Sequence, residues 1–423
     1  MKICVVGGGI AGLSAAYFLS KKNHDVAIIE KDKCGGLAGT FPIENTRLEK
    51  FYHHFFKTDT DLINMVEDLG ISKLIKYYKS EVGFYVNNQV HNFSTPIDIL
   101  KFSPLSGFDR FKLVFIMVYL RFRKDWKKLD EIEISEWHKK HFCNNIYEKI
   151  WKPMLNLKFS DFYKDISMAW LWGRIYPRSQ SRDGLYEYLG YLDNGGSQAL
   201  FDALMDYIKK NNVRILEDTS LEQISIEGKK IKNVKFKGRE HTFDRYISTI
   251  PLQLLKQFLP DALDKGVNVT YQGMVILILK STKNFTDKYW LNISDGGVPF
   301  GGIIEQTNLI GTKRYNGFHI VYFLNYLPQD HKYFNYSKEQ LFEEYFPYIK
   351  KISPHINKED IKEYFIFKTK YASPVYYKGF SKKMPSIFTN YENLFISTTA
   401  NIYPEDRNLS NGIKISKMVC KNI

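Results

Sequence analysis

Residues Val5 to Gly12 read V-V-G-G-G-I-A-G, and Glu30 closes a second apolar run, V-A-I-I-E. That spacing suits a dinucleotide pyrophosphate. Gly7 permits a tight turn out of a strand, Gly9 lets backbone approach the phosphates, and Gly12 lets the next helix pack closely. The first turn of that helix, with Ile10 and Ala11, offers unpaired N–H groups and a partial positive charge to an anion. Glu30, with Lys31 beside it, stands where a carboxylate accepts hydrogen bonds from a ribose. These residues leave NAD and FAD equally open.

A second set of residues has the chemistry to hold an anionic headgroup. In A-W-L-W-G-R-I-Y-P-R-S-Q-S-R, two indoles (Trp170, Trp172) precede Arg174, Arg178 and Arg182. Guanidiniums give bidentate hydrogen bonds and stack on rings. A buried tryptophan pair with solvated arginines fits the same pattern. Glu305, Gln306 and Asn308 end an apolar segment, where they either line a substrate cavity or turn the chain between strands.

The elements that must position these groups follow from periodicity. Ile3–Val6 is too continuously apolar for an amphipathic strand and reads as a buried one, followed by a helix over Ile10–Lys22. Ile132–Phe142 and Ile146–Lys158 read as helices, and Leu200, Leu204, Tyr207 and Ile208 fall at helical spacing. Tyr246–Pro251 is a strand stopped by proline, and 267–326 is rich in β-branched and aromatic residues. An amphipathic helix covers 337–352. Asn393–Thr398 and Leu409–Val419 form a last strand and helix. The expected fold class is α/β, with a discontinuous Rossmann-like dinucleotide domain (1–75, 186–265 and 376–423). An α+β substrate-binding domain of sheet plus helices (76–185 and 266–375) is inserted into it.

A chain of 423 residues, 44% hydrophobic and 16% aromatic, can bury a large core. Sixty basic against forty-six acidic residues give a net charge of +14. A Lys-rich solvated surface accounts for this, as does attraction to anionic substrates or a membrane; no nucleic-acid motif accompanies it. Four dispersed cysteines suit a reducing compartment and argue against structural zinc or a disulfide framework, so no metal is expected. The expected location is cytoplasmic, with peripheral contact to the cytoplasmic membrane as the alternative. Leu113–Leu120, L-V-F-I-M-V-Y-L, lies in a segment (110–128) with basic, aromatic flanks. It reads as a buried helix with polar ends, or as a monotopic membrane contact or the mouth of a lipid-like substrate tunnel.

Several segments together resemble the flavoprotein superfamily of amine oxidases, protoporphyrinogen oxidases, phytoene desaturases and UDP-galactopyranose mutases. They are the N-terminal fingerprint, C-G-G-L-A-G-T at Cys34–Thr40, G-G-S-Q-A-L from Gly195, I-S-T-I-P at Ile247–Pro251, and N-L-F-I-S-T with Y-P-E-D-R near the end. The resemblance implies FAD in an extended form. Gly7, Gly9, Gly12 and Glu30 would hold the adenosine-diphosphate end. Gly35, Gly36, Leu37, Ala38 and Gly39 would pass near the pyrophosphate and ribityl, and Leu221 would lie towards the adenine. Thr249 belongs to the matched I-S-T-I-P block, while Asp406, Arg407 and Asn408 belong to the segment closing over ribityl and flavin. With the only late cysteine at Cys420, the FAD is expected to be non-covalent. The family runs Leu48–Phe56 beside the flavin, which makes Tyr52, His53 and His54 candidates for the reacting face. A histidine with an ordinary pKa would exchange protons near neutrality. On a strand the two adjacent rings would point to opposite faces. Asp406 is read as a helix cap, and Arg407 as a group stabilising negative charge at the flavin or binding substrate phosphate. The implied activity is hydride abstraction by flavin from a large apolar or lipid-linked substrate. The alternative is non-redox mutase chemistry on a sugar diphosphate. Trp172, Arg174, Arg178, Glu305 and Asn308 are the expected substrate contacts.

Overall fold

In a computed structural model, which describes residues 1–141 and 143–423, the first apolar run becomes strand Lys2–Val6 at the centre of a five-stranded sheet. The strand order is Arg214–Leu216, Asp25–Ile29, Lys2–Val6, Arg245–Ser248, Leu394–Ile396, and every pair is parallel. Parallel sheets are covered on both faces, which accounts for the unbroken apolar runs. One face carries the helices Ile10–Ser20, Ser197–Lys210 and Leu409–Lys421. The three stretches of chain supplying this sheet are far apart in sequence and meet only in the fold.

A second sheet has seven strands, ordered Ile361–Pro374, Tyr271–Ser281, His319–Leu327, Gly302–Glu305, Trp290–Ile293, Val82–Val86, Gln89–Asn92. The second strand in that order, Y-Q-G-M-V-I-L-I-L-K-S, is buried along its length. Alternation splits it: Met274, Ile276 and Ile278 face one core, while Val275, Leu277 and Leu279 face another, packed under helix Lys338–Ile352. Above the first face lies a helical layer containing Gly107–Phe122, Ile134–Lys140, Lys152–Phe159 and Met168–Gln180, with a core rich in tryptophan.

The helix expected to run to Phe142 covers Ile134–Lys140, and Phe142 itself lies outside the described residues. Ile146–Lys158 divides into a π-helical turn, Tyr147–Trp151, and an α-helix beginning at Lys152, with Pro153 in its first turn. The expected domain limits are crossed by pairing. Strand Ile75–Ser80 joins Tyr186–Leu192 across the 75/76 and 185/186 limits. Tyr376 and Phe380 pack into the helical layer, and the amide of Gly379 donates to the Asp130 carbonyl, so the chain just past 376 sits with the helices.

Candidate active site

The glycine turn is held by contacts that exclude side chains. Gly7 has φ +108°, and a Cβ there would lie 2.3 Å from Thr249 Oγ1. A Cβ on Gly12 would lie 1.9 Å from the Gly7 carbonyl oxygen. Thr249 donates its amide and its hydroxyl to the Val6 carbonyl, at 2.8 and 3.0 Å, and so ties the neighbouring strand to the turn. Gly9 is the N-cap of helix Ile10–Ser20 and supplies no side-chain cap, which leaves the first-turn amides of Ile10 and Ala11 for an external acceptor.

The second glycine segment abuts the first. The Gly35 amide donates to the Gly8 carbonyl at 2.9 Å, and a Cβ on Gly36 would come 3.2 Å from Gly9 Cα. Gly36–Ala38 is a single 3-10 turn closed by Gly39, and Ser197 Oγ donates to the Ala38 carbonyl. Glu30 accepts from the amides of Gly8 (2.6 Å) and Asp32 (2.9 Å), which fixes its carboxylate at the end of its strand. The Lys31 ammonium turns outward to Asp32. Leu221 lines a small apolar notch with Val6, Ser248 and Ile250. Two abutting turns without side chains, a free helix N-terminus and an oriented carboxylate fit the adenosine-diphosphate end of FAD.

Leu37 and Asn408 lie both beside this cradle and on the wall of a cavity of about 410 Å³. Tyr52, His53, His54, Arg174, Arg178, Asp406 and Arg407 all line the same cavity, together with Lys158, Trp170 and Tyr326. Arg174 Nη2 lies 3.1 Å from Asp406 Oδ1. Arg407 donates to the Tyr326 hydroxyl, which is 3.4 Å from that of Tyr52. Burial alone would raise the Asp406 pKa, but Arg174, Lys158 and Arg407 outweigh it and hold the carboxyl well below the usual range. Burial lowers the Lys158 pKa, with Arg174 and Arg407 adding to the effect. Lys158, Arg174 and Arg407 therefore share Asp406, while Arg178 is paired with a second cavity carboxylate, Glu187, at 3.2 Å. Among the described residues, Nε and Nη1 of Arg174 and Nε of Arg407 are buried without a hydrogen-bond acceptor. Buried donors of this kind are costly unless a ligand accepts from them.

The histidines differ from expectation. The strand ends at Glu49, and residues 51–54 follow as irregular chain, so both rings reach the cavity. His53 Nδ1 donates to the Phe51 carbonyl, and His54 Nδ1 is 3.0 Å from the Tyr289 hydroxyl. Burial lowers His53 to about 4, with Arg407 assisting, and His54 to about 3, with Arg178 assisting. Both are therefore held in the neutral form near pH 7.

Helical geometry sorts the Trp/Arg segment. Trp170, Arg174 and Arg178 are four residues apart and share the face lining the cavity. Trp172 lies on the other side, where Nε1 donates to the Arg123 carbonyl at 2.8 Å and the indole stacks on Tyr176. Glu305 and Asn308 are also outside the cavity lining. Glu305 accepts from the Phe285 amide and the Thr307 hydroxyl, while Asn308 donates to the carbonyls of Thr286 and Lys288. These bonds hold the chain before strand Trp290–Ile293. Asp406 is not the helix cap: Asn408 is, accepting from the Asn411 amide at 2.8 Å.

Sequence reading missed Lys158, Tyr326 and Gly173. Neither of the first two carries a local signal, since each is a polar residue in an otherwise ordinary element. Gly173 had one, a glycine inside a helix. A Cβ there would lie 2.0 Å from the Pro404 carbonyl, so its absence lets the 403–407 loop lie against the helix and puts Asp406 beside Arg174.

The profile of the family described as "Flavin containing amine oxidoreductase" matches residues 10–395. The 15-cis-phytoene desaturase of Synechococcus elongatus is 21% identical over 290 residues, which are 62% of this chain and 60% of that enzyme. The chain thus spans about 60% of the length of this curated relative. A solved structure from Exiguobacterium sp. 255-15 superposes with a TM-score of 0.78 at 16% identity, covering 100% of this chain and 98% of that one. Reduced UDP-galactopyranose mutase gives 0.72 at 16% identity, covering 100% and 94%. At such identities the likeness is one of fold.

Proposed function

The chain belongs to the flavin-containing amine oxidoreductase family, a family of FAD-dependent oxidoreductases, and from that premise we propose that it oxidises a C–H bond of a long, mainly apolar substrate bearing an anionic group. FAD, when bound, supplies a two-electron hydride acceptor. The protein's part is to place the substrate and exclude water.

The observation that carries the reading is the two-ended lining of the cavity. At the end bounded by Leu37 and Asn408, Lys158, Arg174 and Arg407 outnumber Asp406, and Arg178 is paired with Glu187. Away from it the walls are mainly apolar, with Val114, Met117, Ile134, Trp151, Met154 and Leu155, and Arg121 and Arg182 also line the cavity. Guanidiniums lacking acceptors would bind a carboxylate or phosphate, and the apolar walls would bury a chain or ring system. With His53 and His54 neutral, their role is orientation by hydrogen bonding. Arg407 holds the Tyr326 hydroxyl next to Tyr52, which fixes the polar surface over which the reacting carbon would lie.

Cavity binding is tested with oleate as an anionic amphiphile and oleyl alcohol as its neutral counterpart. Oleate should perturb the visible spectrum of the bound flavin saturably, about tenfold more tightly than the alcohol. Arg174→Gln should remove most of that difference while FAD content stays at the wild-type level. Equal binding of the two probes would overturn the anionic-group assignment.

The same cation cluster also suits a sugar diphosphate, the ligand type of a non-redox mutase. Turnover separates the two readings. Anaerobic bleaching of the oxidised flavin by a polyene such as 15-cis-phytoene supports oxidation. Conversion of UDP-galactopyranose only after dithionite reduction, without net redox change, supports the mutase reading.

A further inference from the structure

Helix Gly107–Phe122 presents three faces in turn around its axis. Leu113, Ile116 and Leu120 are buried in the helical core. At 100° per residue the next face holds Met117, Arg121 and Val114, which line the cavity, with Val118 at its outer edge. Beyond Val118 come Phe108, Phe111, Phe115 and Phe122, each between 68% and 73% exposed. Ile97 and Leu100 on the adjoining helix Pro96–Leu100 are exposed as well, and Pro96 and Ile99 of that helix line the cavity. Four phenyl rings of roughly 150 Å² each make a patch larger than the few hundred Å² that soluble monomers usually expose.

We propose that this helix docks the protein on a lipid bilayer whose surface carries anionic headgroups, with the phenyl row inserted among the acyl chains. The charge around the row is complementary to such a surface. Arg121, Lys124, Lys127 and Lys128 are exposed at the C-terminal end of the helix, and Lys101 is exposed before it. The nearby acids Asp98 and Asp109 are engaged in capping contacts with Thr95 and Ser106, and the exposed Asp125, among the lysines, accepts from the Lys127 amide. Lys112 and Arg121 lie over the rings of Phe108 and Phe122, at 4.5 and 5.8 Å, so ammonium and guanidinium groups sit level with the row. An apolar row bordered by cations is the pattern of a helix lying in the membrane interface. Among the described residues no helix is long and apolar enough to cross a membrane, so the contact is with one leaflet. Val118 belongs both to the exposed surface and to the cavity wall, which places the cavity mouth at the membrane-facing lip. Passage of substrate through that mouth rests on the amphiphile reading above; the docking itself does not.

The test is flotation of the FAD-loaded protein with vesicles of phosphatidylcholine, with and without phosphatidylglycerol. The wild type should float with the mixed vesicles and much less with phosphatidylcholine alone. Phe111→Ser combined with Phe115→Ser should lower the bound fraction about tenfold or more, with FAD content and melting temperature unchanged. These two residues do not line the cavity, so the variant reports on the surface. Three results would overturn the proposal. One is a wild type that floats with neither vesicle. Another is a variant that floats as well as the wild type. The third is a wild-type dimer that becomes monomeric in the variant, since a second copy would then cover the face. Flotation without spectral response to oleate would retain the docking and remove the amphiphile reading.

Discussion

At the turn after strand Lys2–Val6, the groups that matter lie within a few residues of one another, and backbone atoms do most of the work. At Asp406 the opposite holds: Lys158, Arg174, Arg178 and Arg407 arrive from two separate helices and a loop, and side chains do all of it. At Gly12 the cradle tolerates no added atom, because a Cβ there would lie 1.9 Å from the Gly7 carbonyl oxygen, which is backbone. The cation cluster is defined by charge balance, in which Arg174, Lys158 and Arg407 hold Asp406 ionised and the two arginines help to lower the Lys158 pKa. A site built from local backbone geometry leaves a spacing motif. One built from converging charges leaves single residues scattered through ordinary elements.

The contrast can be broken most directly at Gly12. Gly12→Ala should abolish FAD retention, measured as the flavin-to-protein ratio of the purified chain, since the new methyl group meets the Gly7 carbonyl. A variant retaining full FAD would show that the cradle is not the dinucleotide site.

Next in size is the response to acid at the other end. His53 and His54 have folded pKa values of about 4 and about 3, below the ordinary 6.5. As pH falls below 6.5 the unfolded chain takes up protons first. The stability these groups contribute is therefore complete above 6.5 and is lost as pH falls towards 4 and then 3. Allowing for water in the cavity, the loss is on the order of 3 kcal/mol. Denaturant melts from pH 7 to 4 should show this, and His53→Gln with His54→Gln should flatten it. An equally steep acid limb in the double variant would place the acid sensitivity elsewhere.

The smallest effect sharpens the comparison within one helix. Trp172→Phe removes the bond to the Arg123 carbonyl and should cost about 1 kcal/mol of stability, leaving oleate binding unchanged. Trp170→Phe should weaken oleate binding, because that ring lines the cavity beneath the Arg174 guanidinium, 4.8 Å away. Effects in the reverse order would contradict the division of faces.

Legibility follows the same physical division. The N-terminal strand, the helix beginning at Ile10 and the Glu30 carboxylate were readable because each depends on neighbours in sequence. Trp172 is among the expected substrate contacts, whereas helical periodicity puts Trp170 on the face of Arg174 and Arg178. His53 and His54 were read as alternating on a strand, but pairing stops at Glu49 and the irregular chain beyond it turns both rings into one cavity. Asp406 resembled a cap until the ion pair with Arg174 claimed it and left capping to Asn408. Glu305 and Asn308 ended an apolar strand, as cavity residues often do, yet their polar atoms are consumed by nearby backbone.

By itself the sequence determined the glycine turns, the α/β class and the resemblance to FAD enzymes, because glycine spacing and hydrophobic period act over a few residues. Only the tertiary structure decided which polar side chains share one cavity, that burial keeps both histidines neutral near pH 7, and that four phenylalanines lie outside the core. Those properties depend on burial and on charges meeting across hundreds of residues, and neither is written in any one segment.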